Sequence, residues 1–171
     1  ESSAAGPPET ARIIVATDGS IELRTGASSV GQGLETGMAQ ICAEILEIDM
    51  AAVAVLHGST TLVESGGGTF HSRCTVMAGN AVRKASEALI ERAMELAALR
   101  WNVGTDGLSY KAGGISRGDG DWLALRELAI FAATREGDEA FSAEAPFSND
   151  GTLSYSYGAH AALVSVDVET G

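Results

Sequence analysis

Positive charge is scarce in this chain: 11 Lys and Arg stand against 23 Asp and Glu over 171 residues, a formal net charge of −12. Nucleic-acid binding draws most of its affinity from clustered cations, so the balance argues against a phosphate-backbone partner. The same acidity repels an anionic membrane surface. Long apolar runs are missing as well. Charged or glycine residues interrupt each one well short of the roughly eighteen residues that span a bilayer, and no leader pattern opens the chain. Cysteine is limited to Cys42 and Cys74, too few and too distant for a CxxC metal site or a disulfide framework, which makes a reducing cytoplasm the expected setting. Neither GxGxxG after a first strand nor GxxxxGK[ST] occurs, which disfavours the Rossmann and P-loop nucleotide folds.

What is present reads as one globular unit. Hydrophobic residues make up 45% of the chain and charged residues 20%, far from the composition of disordered proteins. A strand at 12–17, the turn Asp18-Gly19-Ser20 and a returning strand at 21–25 form a hairpin signal. Met38, Ile41, Cys42, Ile45 and Ile48 recur at helical spacing and predict an amphipathic helix over about 34–48. A short β-rich run follows at 53–56. Val82, Ala85, Leu89, Ala93 and Leu96 predict a long helix over about 72–99, with Ser72 as its N-cap. Leu108-Ser109-Tyr110-Lys111 and Ile115 suit a small peripheral hairpin, and Asp121 is placed to cap a third helix ending near Arg135. Residues 140–152 read as loop and 153–168 as a long alternating strand. The order of elements predicts an α+β fold, a mixed β-sheet covered by helices, with a core over about 11–135.

Two glycine-rich segments run straight into the first two helices: Gly26-Ala27-Ser28-Ser29-Val30-Gly31-Gln32-Gly33 before Leu34, and Gly66-Gly67-Gly68-Thr69-Phe70-His71-Ser72-Arg73 before Cys74. Glycine lets backbone approach a ligand closely, and the unpaired N–H groups of a helix's first turn point at any negative group placed there. Two such cradles suggest a phosphate-bearing cofactor. Cys42 falls on the apolar stripe of its helix, where a thiol packs as a small hydrophobe. His57 and His160 read as ordinary strand-end residues.

Three ordered motifs carry a family resemblance. Gly31-Gln32-Gly33-Leu34-Glu35-Thr36 with Ala39-Gln40-Ile41, then Gly68-Thr69-Phe70-His71-Ser72-Arg73-Cys74-Thr75 with Ala78-Gly79, then Tyr157-Gly158-Ala159-His160 leading to Val166-Asp167-Val168-Glu169-Thr170-Gly171 resemble the large subunit of the molybdenum hydroxylases. That is the xanthine dehydrogenase and aldehyde oxidase family, and its carbon monoxide dehydrogenase-like branch is the nearest in pattern. The resemblance covers nearly the whole chain as a single molybdopterin-binding segment, residues 1–171, internal to a subunit several times longer.

The resemblance implies a share in binding a molybdopterin cytosine dinucleotide with molybdenum, alongside iron–sulfur clusters and FAD carried on partner domains or chains. The positions it assigns to the cofactor are Gly31, Gln32, Gly33, Glu35, Thr36, Gly67, Gly68, Thr69, Phe70, Ser72, Arg73 and Thr75, with none assigned to the metal itself. Gln32 is the foremost candidate, because its amide both donates and accepts; the alternative is that it pins its own loop. Ser72 either serves the cradle or only caps its helix. Arg73 pairs either with a phosphate or with an internal carboxylate, and Phe70 either looks toward the metal or fills the core. Two departures stand out: His71 replaces a glycine common in the family, and Cys74 replaces a serine.

The implied activity is hydroxylation of an aldehyde, an N-heterocycle or a similar carbon centre with oxygen from water. The family's general base is a glutamate in a Gly-Glu motif, and no Gly-Glu dipeptide occurs in these 171 residues. The isolated chain is therefore expected to be catalytically silent, working only with the remainder of the large subunit and the iron–sulfur and flavin subunits. A stand-alone binding or assembly module of the same fold is the alternative from a different functional class.

Overall fold

The computed structural model describes residues 7–63, 66–118, 120–137, 139, 141–149 and 158–171. Strand β1 (Glu9–Val15) alternates buried and half-buried positions, turns at Asp18 and Gly19, and pairs antiparallel with β2 (Ile21–Thr25), Ala11 opposite Thr25 and Val15 opposite Ile21. The Asp18 carboxylate accepts from the Ser20 hydroxyl and backbone N–H, which closes the turn. Those bonds hold its carboxyl below the ordinary carboxylate range.

Helix α1 (Leu34–Ile45) follows, then a single 3-10 turn (Met50–Ala52), and β3 (Val53–Leu56) returns parallel to β2. Helix α2 (Cys74–Trp101) is the longest element. The strand order β3-β2-β1-β7 mixes parallel and antiparallel pairing, so the mixed sheet under helices expected from the pattern is what forms.

Strand β7 (Ser142–Phe147) lies where a loop was expected. Its sequence, SAEAPF, has weak β-propensity, yet β1 offers it a full antiparallel ladder from Glu9 opposite Phe147 to Ile14 opposite Ser142. Tertiary pairing overrides intrinsic preference here, and Pro146 is tolerated because β7 is a sheet edge. Ala143, Ala145 and Phe147 pack on the core, which therefore extends beyond residue 135. The strand expected at 153–168 is not found over 158–168, and 153–157 fall outside the described residues. Leu163, Val164, Val166 and Val168 are exposed. Alternation supplies a strand with faces but not with a ladder partner, and both sides of β1 are already taken.

A three-stranded meander, β4 (Leu108–Lys111), β5 (Gly114–Arg117) and β6 (Trp122–Ala124), enlarges the expected hairpin by one strand. It covers the C-terminal end of α1: the Tyr110 hydroxyl donates to the Leu46 carbonyl at 2.6 Å and the Ala112 N–H to Glu47 at 2.6 Å. Helix α3 (Leu125–Glu136) begins after Ala124 rather than at Asp121. Glu127 accepts the Ala124 N–H at 3.0 Å, while Asp121 pairs with Arg117 across the meander turn.

Helices α1 and α2 lie side by side and run in the same direction. Gln32 and Cys74 meet at their starts, the Ile41 methyl sits 3.0 Å from where a Gly79 Cβ would be, and Cys42 bonds Ser86 further along. Leu34, Met38, Cys42, Val82, Ala85, Leu89 and Leu96 are buried between this layer and the sheet. Each large side chain taken fully from water contributes about 1.5–3 kcal/mol.

Truncating Leu89, fully buried on α2, to Ala is expected to lower unfolding free energy by about 2–5 kcal/mol in urea titrations. The same change at the exposed Leu99 should stay within about 0.5 kcal/mol. Burial pushes the Cys42 thiol from 9.0 up to about 11. The unfolded chain therefore loses that proton first, so stability should fall as pH rises from about 9 to 11. Melting curves of Cys42→Ala should lack that part of the alkaline decline.

Candidate functional site

The parallel packing of α1 and α2 brings both glycine-rich loops to one end of the helical layer. They touch at several points. A Cβ on Gly66 would lie 2.5 Å from the Gly26 backbone, so the two loops meet where position 66 has no room for a side chain. Thr69 joins them further along: its hydroxyl donates to the Ser28 carbonyl at 2.5 Å and accepts the Ser28 N–H at 3.2 Å. Gln32 then reaches across to the Cys74 sulfur at 4.0 Å.

Neither helix start has a side-chain cap. Gly33 precedes α1 and Arg73 precedes α2, and neither offers a side-chain hydrogen bond to the first turn. Gly33 and Gly68 both sit in the left-handed region, φ 74° and 75°, and nothing lies within 4 Å of where their Cβ atoms would be. Two helix starts thus lie side by side with the positive ends of both helix dipoles at the same place; in α1 the Glu35 carboxylate takes its own backbone N–H. Each end favours an anion by about 0.3–1 kcal/mol, more when water is partly excluded. The arrangement is chemically suited to a phosphate or pyrophosphate.

Of the residues singled out in the sequence, Gly31, Gln32, Gly33, Glu35, Thr36, Phe70, Ser72 and Thr75 are exposed around these two helix starts, and Gly67, Gly68 and Thr69 are half-buried between them. Gln32 does pin its own loop: its Oε1 accepts the Val30 N–H at 2.7 Å and its Nε2 lies 3.5 Å from the Ser28 carbonyl. Phe70 is 44% exposed, so it does not fill the core. The Arg73 guanidinium lies 5.3 Å from its ring centroid, and His71 meets it edge-on.

Ser72 is not the N-cap of α2. His71 and Ser72 both take left-handed backbone, φ 49° and 52°, and the helix begins two residues after Ser72. The residue that stands where the family has glycine therefore keeps glycine's conformation. Cys74, the other departure, lies between the Thr69 hydroxyl and the Gln32 amide, and burial raises its thiol pKa.

Arg73 resolves to the internal carboxylate. It is fully buried, its Nη1 pairs with the equally buried Glu9 at 2.5 Å and donates to the Gly68 carbonyl at 3.0 Å, and its Nη2 donates to the Pro7 carbonyl. Of the two partners the sequence left open, the structure shows the carboxylate: a guanidinium taken from water needs a charge partner, and Glu9 supplies one.

Sequence reasoning missed Glu9, although a signal existed. Glu9, Ala11, Ile13 and Val15 share the buried face of β1 by simple period-2 alternation, which places an acid where only a paired one is tolerated. His57 stands at the end of β3, as its place in the sequence suggests, and its Nε2 lies 2.9 Å from Glu35, whose other oxygen accepts from Ser29. Its own backbone N–H first, then His57 and Ser29, hold the Glu35 carboxyl below its ordinary range. Among the described residues no three His, Cys, Asp or Glu side chains gather as metal ligands, and no helix is long and apolar enough to cross a membrane.

The family model for molybdopterin cofactor-binding domains matches residues 1–171. The chain is 37% identical over 169 residues to the 6-hydroxypseudooxynicotine dehydrogenase complex subunit gamma of Paenarthrobacter nicotinovorans, covering 95% of this chain and 21% of that one. It is 28% identical over 178 residues to the carbon monoxide dehydrogenase large chain of Afipia carboxidovorans, with the same two coverages. Among solved structures, reconstituted CO dehydrogenase from Oligotropha carboxidovorans superposes with a TM-score of 0.76 at 26% identity, over 86% of this chain and 20% of that chain. The chain thus spans about a fifth of the relatives it matches.

His71→Gly is expected to stabilise the fold by about 0.5–1 kcal/mol, since left-handed backbone costs a side chain more than glycine's added entropy. A chemical denaturation midpoint unchanged or lowered would contradict the assigned backbone.

Proposed function

The chain belongs to the molybdopterin cofactor-binding domain family, and from that membership we propose that its paired helix starts hold the pyrophosphate of a molybdopterin dinucleotide, in the cytosine form. One observation carries this reading: two uncapped helix N-termini lie next to each other, joined through Thr69 and Ser28, with left-handed glycines opening their backbone to a ligand. These residues fit the group. First-turn N–H groups of α1 and α2 bind the phosphates, while Thr36, Ser72 and Thr75 stand exposed beside them as hydroxyl donors. Gln32, already fixed by its loop, presents its amide edge to the pterin, and the exposed Phe70 ring bounds the cradle on one side.

When bound, the cofactor supplies the two-electron oxidation of a carbon centre with oxygen from water. The whole protein of which this chain forms part then hydroxylates an N-heterocycle, an aldehyde or a similar carbon. A nicotine-derived substrate in the name of a 37% identical relative favours the N-heterocycle. Electrons leave through iron–sulfur and flavin partners. This chain's part is to bind and orient; without a Gly-Glu glutamate it does no chemistry alone.

The test is elemental and nucleotide analysis of the full-length protein. Molybdenum and, after acid release, cytidine monophosphate should be found in near-equal amounts, and Thr69→Val should lower both together by roughly tenfold, the scale of one or two lost neutral hydrogen bonds. Protein carrying neither molybdenum nor a pterin would end the reading, and a different released nucleotide would end only its cytosine part.

A further inference from the structure

Buried charge sits unusually close to the second cradle. Glu9 and Arg73 are both fully buried and paired with each other, yet Glu9 Oε2 and Arg73 Nε have no hydrogen-bond partner among the described residues. An apolar pair of similar volume would serve stability at least as well. Besides the Pro7 carbonyl, which Arg73 Nη2 reaches, the pair's bonds to backbone fall on one short stretch of the second loop.

Glu9 Oε1 accepts the Gly67 N–H at 2.7 Å, and Arg73 donates to the Gly68 carbonyl at 3.0 Å. A peptide unit is planar and trans, so its C=O and N–H point in opposite directions. Drawing the Gly68 carbonyl inward onto the guanidinium therefore turns the Thr69 N–H outward, away from the pair. The contact is tight enough that a Cβ on Gly67 would fall on the guanidinium. Arg73 also follows two consecutive left-handed non-glycine residues, His71 and Ser72, a strained turn that persists only where its surroundings over-determine it.

We propose that Glu9 and Arg73 are positioning residues for the ligand: the buried pair fixes the Gly66–Gly67 and Gly68–Thr69 peptides so that the Thr69 N–H is aimed, as a donor, at an acceptor oxygen of the bound group. This rests on the cofactor reading above and adds to it two residues, on β1 and at the start of α2, that never touch the cofactor. Backbone donors act well only when their orientation is set in advance, and a supporting shell of this kind decides it.

The experiment uses the full-length protein and reads bound molybdenum and released nucleotide per polypeptide, with the melting temperature measured on the same samples. Arg73→Lys keeps the charge and one contact but not the three acceptors reached together; it should melt near wild type and retain roughly tenfold less of both molybdenum and nucleotide. The paired change Glu9→Leu with Arg73→Met removes the charges together and should restore the melting temperature lost in Glu9→Gln without restoring occupancy. A purely structural pair predicts the opposite, occupancy recovering with stability, and that result would overturn the proposal. Unchanged occupancy in Arg73→Lys would overturn it too, while leaving the cofactor reading intact. Wild-type protein without molybdenum and nucleotide would remove the cofactor reading, and this inference with it.

Discussion

The close parallel approach of α1 and α2 governs what this chain can do. Two helices running in the same direction place two partial positive charges, each about half an elementary charge, at the same end, an arrangement with no electrostatic benefit in the empty fold. Small side chains permit it. The Ile41 methyl occupies the space next to Gly79, and Cys42 lies against Ser86; bulk at either point would splay the helix starts. Burial of the apolar seam and of the sheet face beneath it offsets the unfavourable pairing, and an anion at that end converts it into binding energy.

The loops divide the remaining work. Thr69 ties the second loop to Ser28 of the first, so the two cradles are linked directly by hydrogen bonds. Glu9 and Arg73 tie the second loop downward to β1. Removing one charge of such a pair costs about 3–5 kcal/mol, whereas replacing both is often neutral. Stability alone therefore does not account for an ion pair at that depth, and its geometric effect on the loop does.

Much of the fold was legible from local chemistry. Strands β2 and β3 fall where alternation and turn residues put them, and α1 and α2 within a few residues of their apolar stripes, because each of these elements carries its own periodic signal. The errors have a common physical source. β7 exists by virtue of its neighbour β1 and not of its own sequence, while 158–168 alternates well and gains no partner among the described residues. The site divides in the same way. Glycines before Leu34 and Cys74 announce two helix starts, but that these starts meet is a property of packing. Arg73 announces a charge near a phosphate site, but which carboxylate it meets depends on β1 lying beneath the loop.

An acidic chain with an anion site looks contradictory until distances are compared. Screening confines the influence of exposed carboxylates to about 8 Å at physiological ionic strength, so the net charge of −12 decides against a long polyanion that must lie across the surface and says little about one pyrophosphate. Apart from Glu9, which is buried and paired with Arg73, the acid at these helix starts is Glu35, in the first turn of α1, while α2 has none in its first turn. The Glu35 carboxylate is already committed to His57, Ser29 and its own backbone N–H, and at that position it offsets part of the helix dipole. Directional N–H groups at hydrogen-bond distance act where net charge does not reach. A strongly acidic net charge is therefore compatible with a local site for a single phosphate-bearing group.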